Sequence, residues 1–339
     1  MEQGQQANPE ILSEAVARLK AGRLVAFPTE TVYGLGADAL SDEAVARVFA
    51  AKGRPAGNPL IVHVSSAAMA QEMVVSQWPE EAEHLARAFW PGPLSLVLPK
   101  HHRVPKRVTG GGPSVAVRCP DHPFALALIE AFGSPIVGPS ANLSGSLSPT
   151  RASDVREVWR GSEVYVIDGG PCRGGIESTV LSLANAAPRI LRPGFIGSEA
   201  IEAVLGRPVE SDGAWTPAEG EPAPAPGILG RHYAPNARAL LMDEFAVPTG
   251  VDPAGVVLVT HRPPTPEGDV RVVRMPSRAE EYAARLYAAL REVDAMHPTL
   301  IVVERPPRYG SDSAGTAIWR AIHERLERAT GEQGGDRPV

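Results

Sequence analysis

A short polar segment at positions 29–31 (Thr-Glu-Thr) follows an apolar run at 24–27 that predicts a buried strand. Pro28 lies between them and ends the strand ladder, because it has no N–H to donate. Ligands of open α/β sheets bind where strands run out, so hydroxyls and a carboxylate placed there could contact a small substrate. Gly34 and Gly36 follow, and they predict a tight turn with close approach of the backbone.

Basic and polar residues also stand at the ends of other predicted elements. Lys52 and Arg54 come at the carboxyl end of a predicted helix, where the helix dipole favours cations even without a ligand, and both are expected to be exposed. His63, inside an apolar strand, and Arg118, in an alternating strand, could each have a purely structural role. Cations that converge with hydroxyl and amide donors suit a triphosphate or a carboxylate ligand. The full set is Thr31, Lys52, Arg54, Asn58, His63, Arg118, Ser140, Asn142, Ser178 and Arg192.

Three familiar catalytic signatures fail in this sequence. The string at 34–39 fits G-x-G-x-x-A, but the acidic partner expected about twenty residues further on is missing. The string at 138–142 differs from a nucleophile elbow at one position, with Asn in place of the last Gly, and no Ser–His partner order is evident. No G-x-x-x-x-G-K-[ST] string occurs. These failures argue against a nicotinamide enzyme, a serine hydrolase and a P-loop NTPase.

Length, charge and cysteine content narrow the class of protein further. A chain of 339 residues is long enough for two domains, and its net charge of −6 gives no global basic field for nucleic acid or an anionic membrane. Cys119 and Cys172 show no metal-ligand spacing and suit a reducing cytoplasm, where buried thiols are expected. No apolar run approaches the ~20 residues of a membrane span, and no signal-peptide core is present. We therefore expect a soluble cytoplasmic protein.

The periodicities predict an α/β protein with two domains and a linker. Residues 1–210 alternate strands, helices and polar loops, which predicts a mixed sheet that ends in a hairpin closed by Pro193-Gly194. Residues 211–235 are rich in Pro, Ala, Glu and Gly and show almost no periodicity, which is typical of a linker.

The second predicted domain, at 236–331, alternates strands and helices and so predicts a small parallel layer. Ser277 and Glu280 fit a capping box for the helix that leads to about Val293. The remaining residues, 332–339, are expected to form a disordered tail.

Five motifs occur in an order that resembles one enzyme family. They are Pro-Thr-Glu-Thr-Val-Tyr-Gly-Leu-Gly at 28–36, Lys-x-Arg-Pro with Asn-Pro-Leu at 52–60, Pro-Ser-Ala-Asn-Leu-Ser-Gly at 139–145, Glu-Ser-Thr-Val at 177–180 and Leu-Arg-Pro-Gly at 191–194. The sequence resembles the threonylcarbamoyl-adenylate (threonylcarbamoyl-AMP) synthase family with its YrdC-like domain. His-Tyr-Ala-Pro at 232–235 and the α/β tail resemble the long, two-domain form. The resemblance implies a twisted open mixed sheet around a concave basic cavity, with a second, smaller Rossmann-like domain.

The resemblance also implies a reaction. L-Threonine, bicarbonate or CO₂, and ATP would give threonylcarbamoyl-AMP and pyrophosphate. A downstream threonylcarbamoyl transferase would then receive the product and modify the adenosine beside the anticodon of tRNA. Mg²⁺ would arrive with ATP, since no dedicated carboxylate cage is visible in the sequence. No tightly bound cofactor is expected, nor strong direct binding of tRNA.

Matching motifs imply roles for individual residues. The group around the phosphates would be Lys52, Arg54, Ser140 and Asn142, with further nucleotide contacts from Asn58, Ser148, Arg192 and Tyr233. Threonine would be held by Thr31, His63, Arg118 and Ser178, with Arg118 suited to its carboxylate. The role of Glu30 is left open, and no metal site is assigned.

Two other classes of function compete with this interpretation. An RNA-binding module without turnover could use a concave basic surface, but the negative net charge and the few aromatic residues oppose it. A carbamoyl-transfer or maturation subunit could use the same fold, but zinc-finger cysteines and an acylphosphatase-like extension are missing. We also expect the linker to act as a lid, with positions 231–233 (Arg-His-Tyr) reaching into the first domain over a labile anhydride.

Overall fold

The computed structural model describes residues 8–211, 223, 225, 233–263 and 269–331. These residues form a nine-stranded sheet of mixed direction and a separate four-stranded sheet, with helices packed against both. The predicted fold class, a mixed α/β sheet with a second and smaller parallel α/β layer, is confirmed.

The strands of the nine-stranded sheet come from the first two thirds of the chain. They are β1 (Val25–Phe27), β2 (Gly34–Asp38), β3 (Ile61–His63), β4 (Leu94–Pro99), β5 (Ser114–Arg118), β6 (Ile136–Val137), β7 (Tyr165–Val166), β8 (Thr179–Ser182) and β9 (Arg189–Arg192). The four-stranded sheet contains β10 (Ala239–Met242), β11 (Val256–Thr260), β12 (Arg271–Arg274) and β13 (Leu300–Glu304).

Helices connect most of these strands. They are α1 (Pro9–Lys20), α2 (Asp42–Lys52), α3 (Ala67–Met69), α4 (Glu80–Phe89), α5 (Pro123–Phe132), α6 (Ala152–Val158), α7 (Ser198–Leu205), α8 (Ala279–Asp294) and α9 (Ser313–Thr330). Short turns of other helical types occupy Ala70–Val74, Lys106–Thr109 and Pro253–Gly255. None of the helices in the described part of the chain is long and apolar enough to cross a membrane.

The strand order of the large sheet is β7-β1-β2-β6-β3-β5-β4-β8-β9, with parallel and antiparallel neighbours intermixed. β3 and β5 run parallel, and their register places His63 beside Arg118. Side chains of paired residues point to the same face of a sheet, so this register brings an imidazole and a guanidinium to one surface. The small sheet has the order β10-β13-β11-β12, and all its pairs are parallel, as predicted.

The glycines of the first motif do not form the predicted turn. Gly34 and Gly36 lie in β2, which pairs with β1 in antiparallel fashion. Their small size is needed for close approach, because a Cβ on Gly34 would lie 2.8 Å from the Phe27 ring and one on Gly36 would lie 2.9 Å from the Val25 carbonyl oxygen. The sequence pattern gave no sign of this strand, because it has one apolar side chain larger than alanine and two glycines.

Two smaller sequence predictions are also wrong, and some helices were missed. Pro193-Gly194 follows the β8–β9 hairpin instead of closing it. The cap of α8 is Arg278, which makes no side-chain capping hydrogen bond, so the predicted capping box of Ser277 is not formed. Three helices, α3, α6 and α7, were not predicted, because each is short.

The predicted boundaries at 210, 235 and 331 stay predictions. Most of the predicted linker, including positions 231 and 232, and the whole predicted tail lie outside the described residues. The two cysteines, by contrast, are buried as expected, and burial raises the pKa of Cys119 and of Cys172 to about 12.

Candidate functional site

One cavity on the large sheet brings together most of the residues predicted to bind substrates. Ile61 and His63, two residues apart on β3, point to the same face and form part of its floor. The predicted site residues among those lining the cavity are Thr31, Arg54, His63, Arg118, Ser140, Ser178, Arg192 and Tyr233. Lys52, Asn58, Asn142 and Ser148 do not line it. Lys52, Asn58 and Ser148 each hydrogen-bond to a residue that does, and Asn142 accepts a hydrogen bond from Lys52.

Lys52 supports the turn that carries Ser140. Its Nζ donates to the Ser140 carbonyl oxygen at 2.6 Å, to the Asn142 carbonyl oxygen, and to Asn142 Oδ1 at 3.5 Å. The side chain is 2% exposed, so the expectation that Lys52 would be solvent-exposed is wrong. Burial, together with the neighbouring Arg54, holds the pKa of Lys52 well below its usual value.

Asn142 completes the same turn from the other side. Its Nδ2 donates to the carbonyl oxygens of Leu143 at 2.8 Å and Ser146 at 2.7 Å, and the residue has no exposed surface. Lysine and asparagine together therefore fix the backbone from 140 to 146, and with it the position of the Ser140 side chain at the cavity.

Arg54 faces the cavity from the loop after α2, and it is also buried rather than exposed. Gly53 ends α2 in the left-handed conformation (φ 59°), which turns the chain so that Arg54 follows at the site. Arg54 Nε donates to the Asn58 carbonyl oxygen at 3.0 Å, and Nη2 donates to Asn58 Oδ1 and the Pro59 carbonyl oxygen at 2.8 and 2.7 Å. Among the described residues, Nη1 has no hydrogen-bond partner.

Arg118 forms the most strongly paired group in the cavity. Nε donates to the Gly92 carbonyl oxygen at 3.1 Å, Nη1 donates to Thr31 Oγ1 at 3.0 Å, and Nη2 lies 2.5 Å from Glu30 Oε1. Thr29 Oγ1 lies 2.8 Å from Thr31 Oγ1. Glu30, whose role was left open, is thus the counter-ion of Arg118.

His63 is a neutral group in this site. Burial, reinforced by the nearby charge of Arg118, lowers its pKa to about 3. Its ring meets Phe27 edge-on, with 5.6 Å between centroids. Gly138 lies against the same ring, and a Cβ at that position would be 2.7 Å from His63 Nδ1.

Ser178 and Arg192 form the opposite wall, where the β8–β9 pair begins and ends. Arg192 Nη2 donates to the Ser178 carbonyl oxygen at 2.9 Å and to Ser178 Oγ at 3.2 Å. Ser178 Oγ also lies 2.9 Å from Ser95 Oγ. Burial lowers the pKa of Arg192, and Arg325 adds to that effect while Tyr233 and Glu177 oppose it.

Tyr233 lies near the carboxyl end of the predicted linker and lines the cavity. It is 1% exposed, and burial raises its pKa to about 12. The next residue, Ala234, donates its N–H to the Gly145 carbonyl oxygen at 3.0 Å, which anchors this segment beside the turn built by Lys52. The φ of Tyr233 is 62°, which is unusual for a residue other than glycine.

Glu177 was noted in the sequence but not assigned a role, and the structure makes it a central contact of the wall. Its Oε1 accepts a hydrogen bond from Ser148 Oγ at 2.7 Å, while Oε2 accepts from Tyr287 and Arg325 at 3.0 Å each. Tyr287 and Arg325 were missed by the sequence analysis. Nothing in their local pattern could have indicated them, because they lie on α8 and α9, more than a hundred positions from Glu177.

The charge of the cavity favours an anionic ligand. Arg54, Arg118 and Arg192 line it, against a single lining carboxylate, Glu177. Burial lowers the pKa of Arg54 to about 10. Tyr233 raises this pKa in part, and repulsion from the charge of Arg192 lowers it further. Buried cations that repel one another are relieved by an anion, so phosphate and carboxylate groups fit this arrangement.

Comparison with protein families gives two matches that together span most of the chain. A family described as "Telomere recombination" matches residues 17–194. A second, described as "Threonylcarbamoyl-AMP synthase, C-terminal domain", matches residues 196–331.

Individual proteins resemble the chain over nearly its full length. A threonylcarbamoyl-AMP synthase of Pyrococcus abyssi is 42% identical over 335 residues, which cover 94% of this chain and 93% of that protein. A threonylcarbamoyl-AMP synthase of Bacillus subtilis is 40% identical, with 96% of this chain and 94% of that protein covered. The crystal structure of P. abyssi Sua5 complexed with L-threonine superposes with a TM-score of 0.80 at 40% identity, covering 94% of each chain.

Proposed function

The chain belongs to the threonylcarbamoyl-AMP synthase family of enzymes, and from this premise we propose that it makes threonylcarbamoyl-AMP and pyrophosphate from L-threonine, bicarbonate or CO₂, and ATP. The observation that carries the proposal is the convergence, in one buried cavity, of arginines suited to phosphate with hydroxyls and a paired arginine suited to an amino acid.

Threonine would bind at the end of the cavity formed by Thr31, His63, Arg118 and Ser178. Arg118 has five N–H groups, of which two donate to Gly92 and Thr31, while Nη2 forms an ion pair with Glu30 without a hydrogen bond to it. N–H groups on both terminal nitrogens therefore remain for the threonine carboxylate. Binding of L-threonine by P. abyssi Sua5, 40% identical to this chain, supports this assignment.

ATP would bind at the end formed by Arg54, Ser140 and Arg192. The unused Nη1 of Arg54 and the Ser140 hydroxyl can donate to phosphate oxygens, and Asn58 orients Arg54 by accepting from Nη2. Lys52 and Asn142 would act by holding the Ser140 turn, and Ser148 by holding Glu177. Tyr233 lines the cavity and would contact the nucleotide. Mg²⁺ would enter with ATP as part of that substrate.

The proposed chemistry has two steps. The unprotonated threonine amine attacks the carbon of CO₂ and releases a proton to solvent, or attacks bicarbonate with loss of water, and either route gives a carbamate. A carbamate oxygen then attacks the α-phosphorus of ATP, forming a P–O bond as the bond to pyrophosphate breaks. This displacement requires alignment and neutralisation of charge rather than a protein nucleophile. Fixed guanidinium groups in a buried cavity supply both, and the cavity limits hydrolysis of the mixed anhydride.

The function is tested by release of pyrophosphate from the full-length chain. We expect release that requires threonine and bicarbonate together, with formation of an adenylate whose mass fits threonylcarbamoyl-AMP. Release from ATP alone, or with threonine in carbonate-depleted buffer, would contradict the proposal. RNA binding that weakens with salt, without any turnover, would instead support the RNA-binding alternative. A cytoplasmic location and transfer of the product to tRNA by a second enzyme belong to the same proposal.

A further inference from the structure

A buried ion pair joins the small parallel layer to the wall of the cavity. Arg325, on α9, has a fully buried side chain, and its Nε lies 3.0 Å from Glu177 Oε2. Its Nη1 donates to the Pro193 carbonyl oxygen at 2.9 Å. Arg325 therefore contacts both segments of the wall, because Glu177 precedes Ser178 and Pro193 follows Arg192.

One side of α8 contacts the same wall. The hydroxyl of Tyr287 donates to Glu177 Oε2 at 3.0 Å, and its ring stacks on Tyr233 with centroids 5.8 Å apart. Arg291, one helical turn further on, donates to the Leu147 carbonyl oxygen, next to Ser148. The guanidinium carbon of Arg325 lies 5.6 Å from the centre of the Tyr233 ring.

These contacts determine where the Glu177 carboxylate can lie. Ser148 holds one oxygen, and Tyr287 with Arg325 holds the other. A buried carboxylate that loses its ion-pair partner turns towards the next cation or takes up a proton. Arg192 is that cation, since its charge already acts on Glu177. Such a shift would compete with the hydrogen bonds from Arg192 to Ser178.

From this geometry we infer that Arg325 and Tyr287 are positioning residues for the cavity, and that the small parallel layer holds Ser178 and Arg192 in place through Glu177. Neither residue lines the cavity, so each would act without touching a substrate. The inference rests on the proposed function, because it concerns the affinity of the same site for ATP and threonine.

The test compares three full-length variants with wild type: Arg325→Met, Arg325→Lys and Tyr287→Phe. Loss of a buried ion pair is costly, so Arg325→Met should raise KM for ATP or threonine about tenfold or more, with a smaller change in kcat. Arg325→Lys keeps the charge and should recover part of this loss. Tyr287→Phe removes the hydroxyl that donates to Glu177. It should raise KM for ATP or threonine about threefold.

The control is Arg278→Met, which removes an exposed arginine of the small layer, one that pairs with Glu281 at the surface. It should leave both KM values within about twofold of wild type, because the contacts of Arg278 with the described residues do not reach the cavity wall. Calorimetric affinities for ATP and for threonine are measured on every variant, so that the inference is tested even without turnover.

The outcomes separate the two proposals. A wild-type protein that releases no pyrophosphate with threonine and bicarbonate contradicts the proposed function, while its affinities still test the inference. If folded Arg325→Met and Tyr287→Phe proteins have wild-type affinities and KM values, the small layer does not position the site. Should Arg325→Met fail to fold, Tyr287→Phe alone decides, since its ring keeps the packing on Tyr233.

Discussion

Lys52 Nζ contacts Asn142 at both its backbone carbonyl oxygen and its Oδ1, although the two residues are 90 positions apart. The third proton of the ammonium goes to Ser140. All donors of this buried group are therefore used by the protein, which assigns Lys52 to the construction of the Ser140 turn. The motif that carries Lys52 and the motif that carries Ser140 and Asn142 form one unit.

Replacing Lys52 with alanine should damage both stability and activity. Two buried oxygens of Asn142 and one partly buried oxygen of Ser140 would lose their donor, at a cost of about 1–3 kcal/mol each in the free energy of unfolding. We expect a lower Tm together with a fall in kcat/KM for ATP of about tenfold or more. Thermal melts and pyrophosphate release measure the two effects on one preparation. Lost activity with an unchanged Tm would indicate direct phosphate contact instead.

Arg54→Ala should affect the nucleotide more directly. Its Nη1 is the donor that the cavity leaves for a phosphate oxygen, and removing a cation that stabilises developing charge costs about 3 kcal/mol. The expected result is a loss of about 10²-fold in kcat/KM, with KM for threonine little changed. Arg107→Ala provides the control, because that arginine pairs with Asp42 at the surface. Equal losses for ATP and threonine would place Arg54 elsewhere in the mechanism.

Substrate choice tests the threonine end of the cavity. A site built to hydrogen-bond the threonine hydroxyl should reject alanine by about 10⁴-fold or more, because it leaves buried polar groups unpaired. Serine lacks only the methyl group and should lose about 1–3 kcal/mol. Competition assays of kcat/KM give both ratios. Alanine used as well as threonine would overturn the roles given to Thr31, His63 and Ser178.

The sequence predicted most of the elements because their side chains alternate or repeat with a clear period. The parallel small sheet and the β8–β9 hairpin follow from local patterns alone. β2 did not follow, since its fit depends on how closely Gly34 and Gly36 approach β1. Whether such a segment forms a strand depends on its tertiary contacts, so its own residues show no pattern that predicts it.

The candidate site also has features that local sequence predicted and features that depend on distant contacts. Strand-end polarity and the five motifs indicated the residues that line the cavity, but exposure was judged wrongly for Lys52 and Arg54. Whether a cation at a helix end is buried depends on the turn that packs over it, here 140–146, and that turn is distant in sequence. The contacts from α8 and α9 to Glu177 depend on how two layers pack, which local patterns do not encode.

His63 should make the protein sensitive to acid. Its folded pKa is lowered to about 3, whereas the unfolded value is near 6.5, so between these values the unfolded chain binds the extra proton. The contribution of neutral His63 to the free energy of unfolding is therefore fully present above about pH 6.5. Below that pH the free energy of unfolding falls by up to about 1.4 kcal/mol per pH unit. His63→Gln, which cannot take up this proton, should show a flatter dependence of Tm on pH from 7 to 4.5. Identical slopes for the variant and wild type would mean that other groups control acid unfolding.

Gly138→Ala should disturb the site chiefly at the ring of His63. The added Cβ would lie 2.7 Å from His63 Nδ1 and 2.9 Å from the Phe27 ring, distances that force the imidazole or the backbone to move. Overpacking of this kind costs about 1–3 kcal/mol of stability. Because His63 belongs to the threonine end, KM for threonine should rise more than KM for ATP. Gly57→Ala is the control, since a Cβ there meets open space and its stability should change by less than about 0.5 kcal/mol. If the Gly138 variant kept the wild-type KM for threonine while losing stability, His63 would be a packing residue without a role in binding.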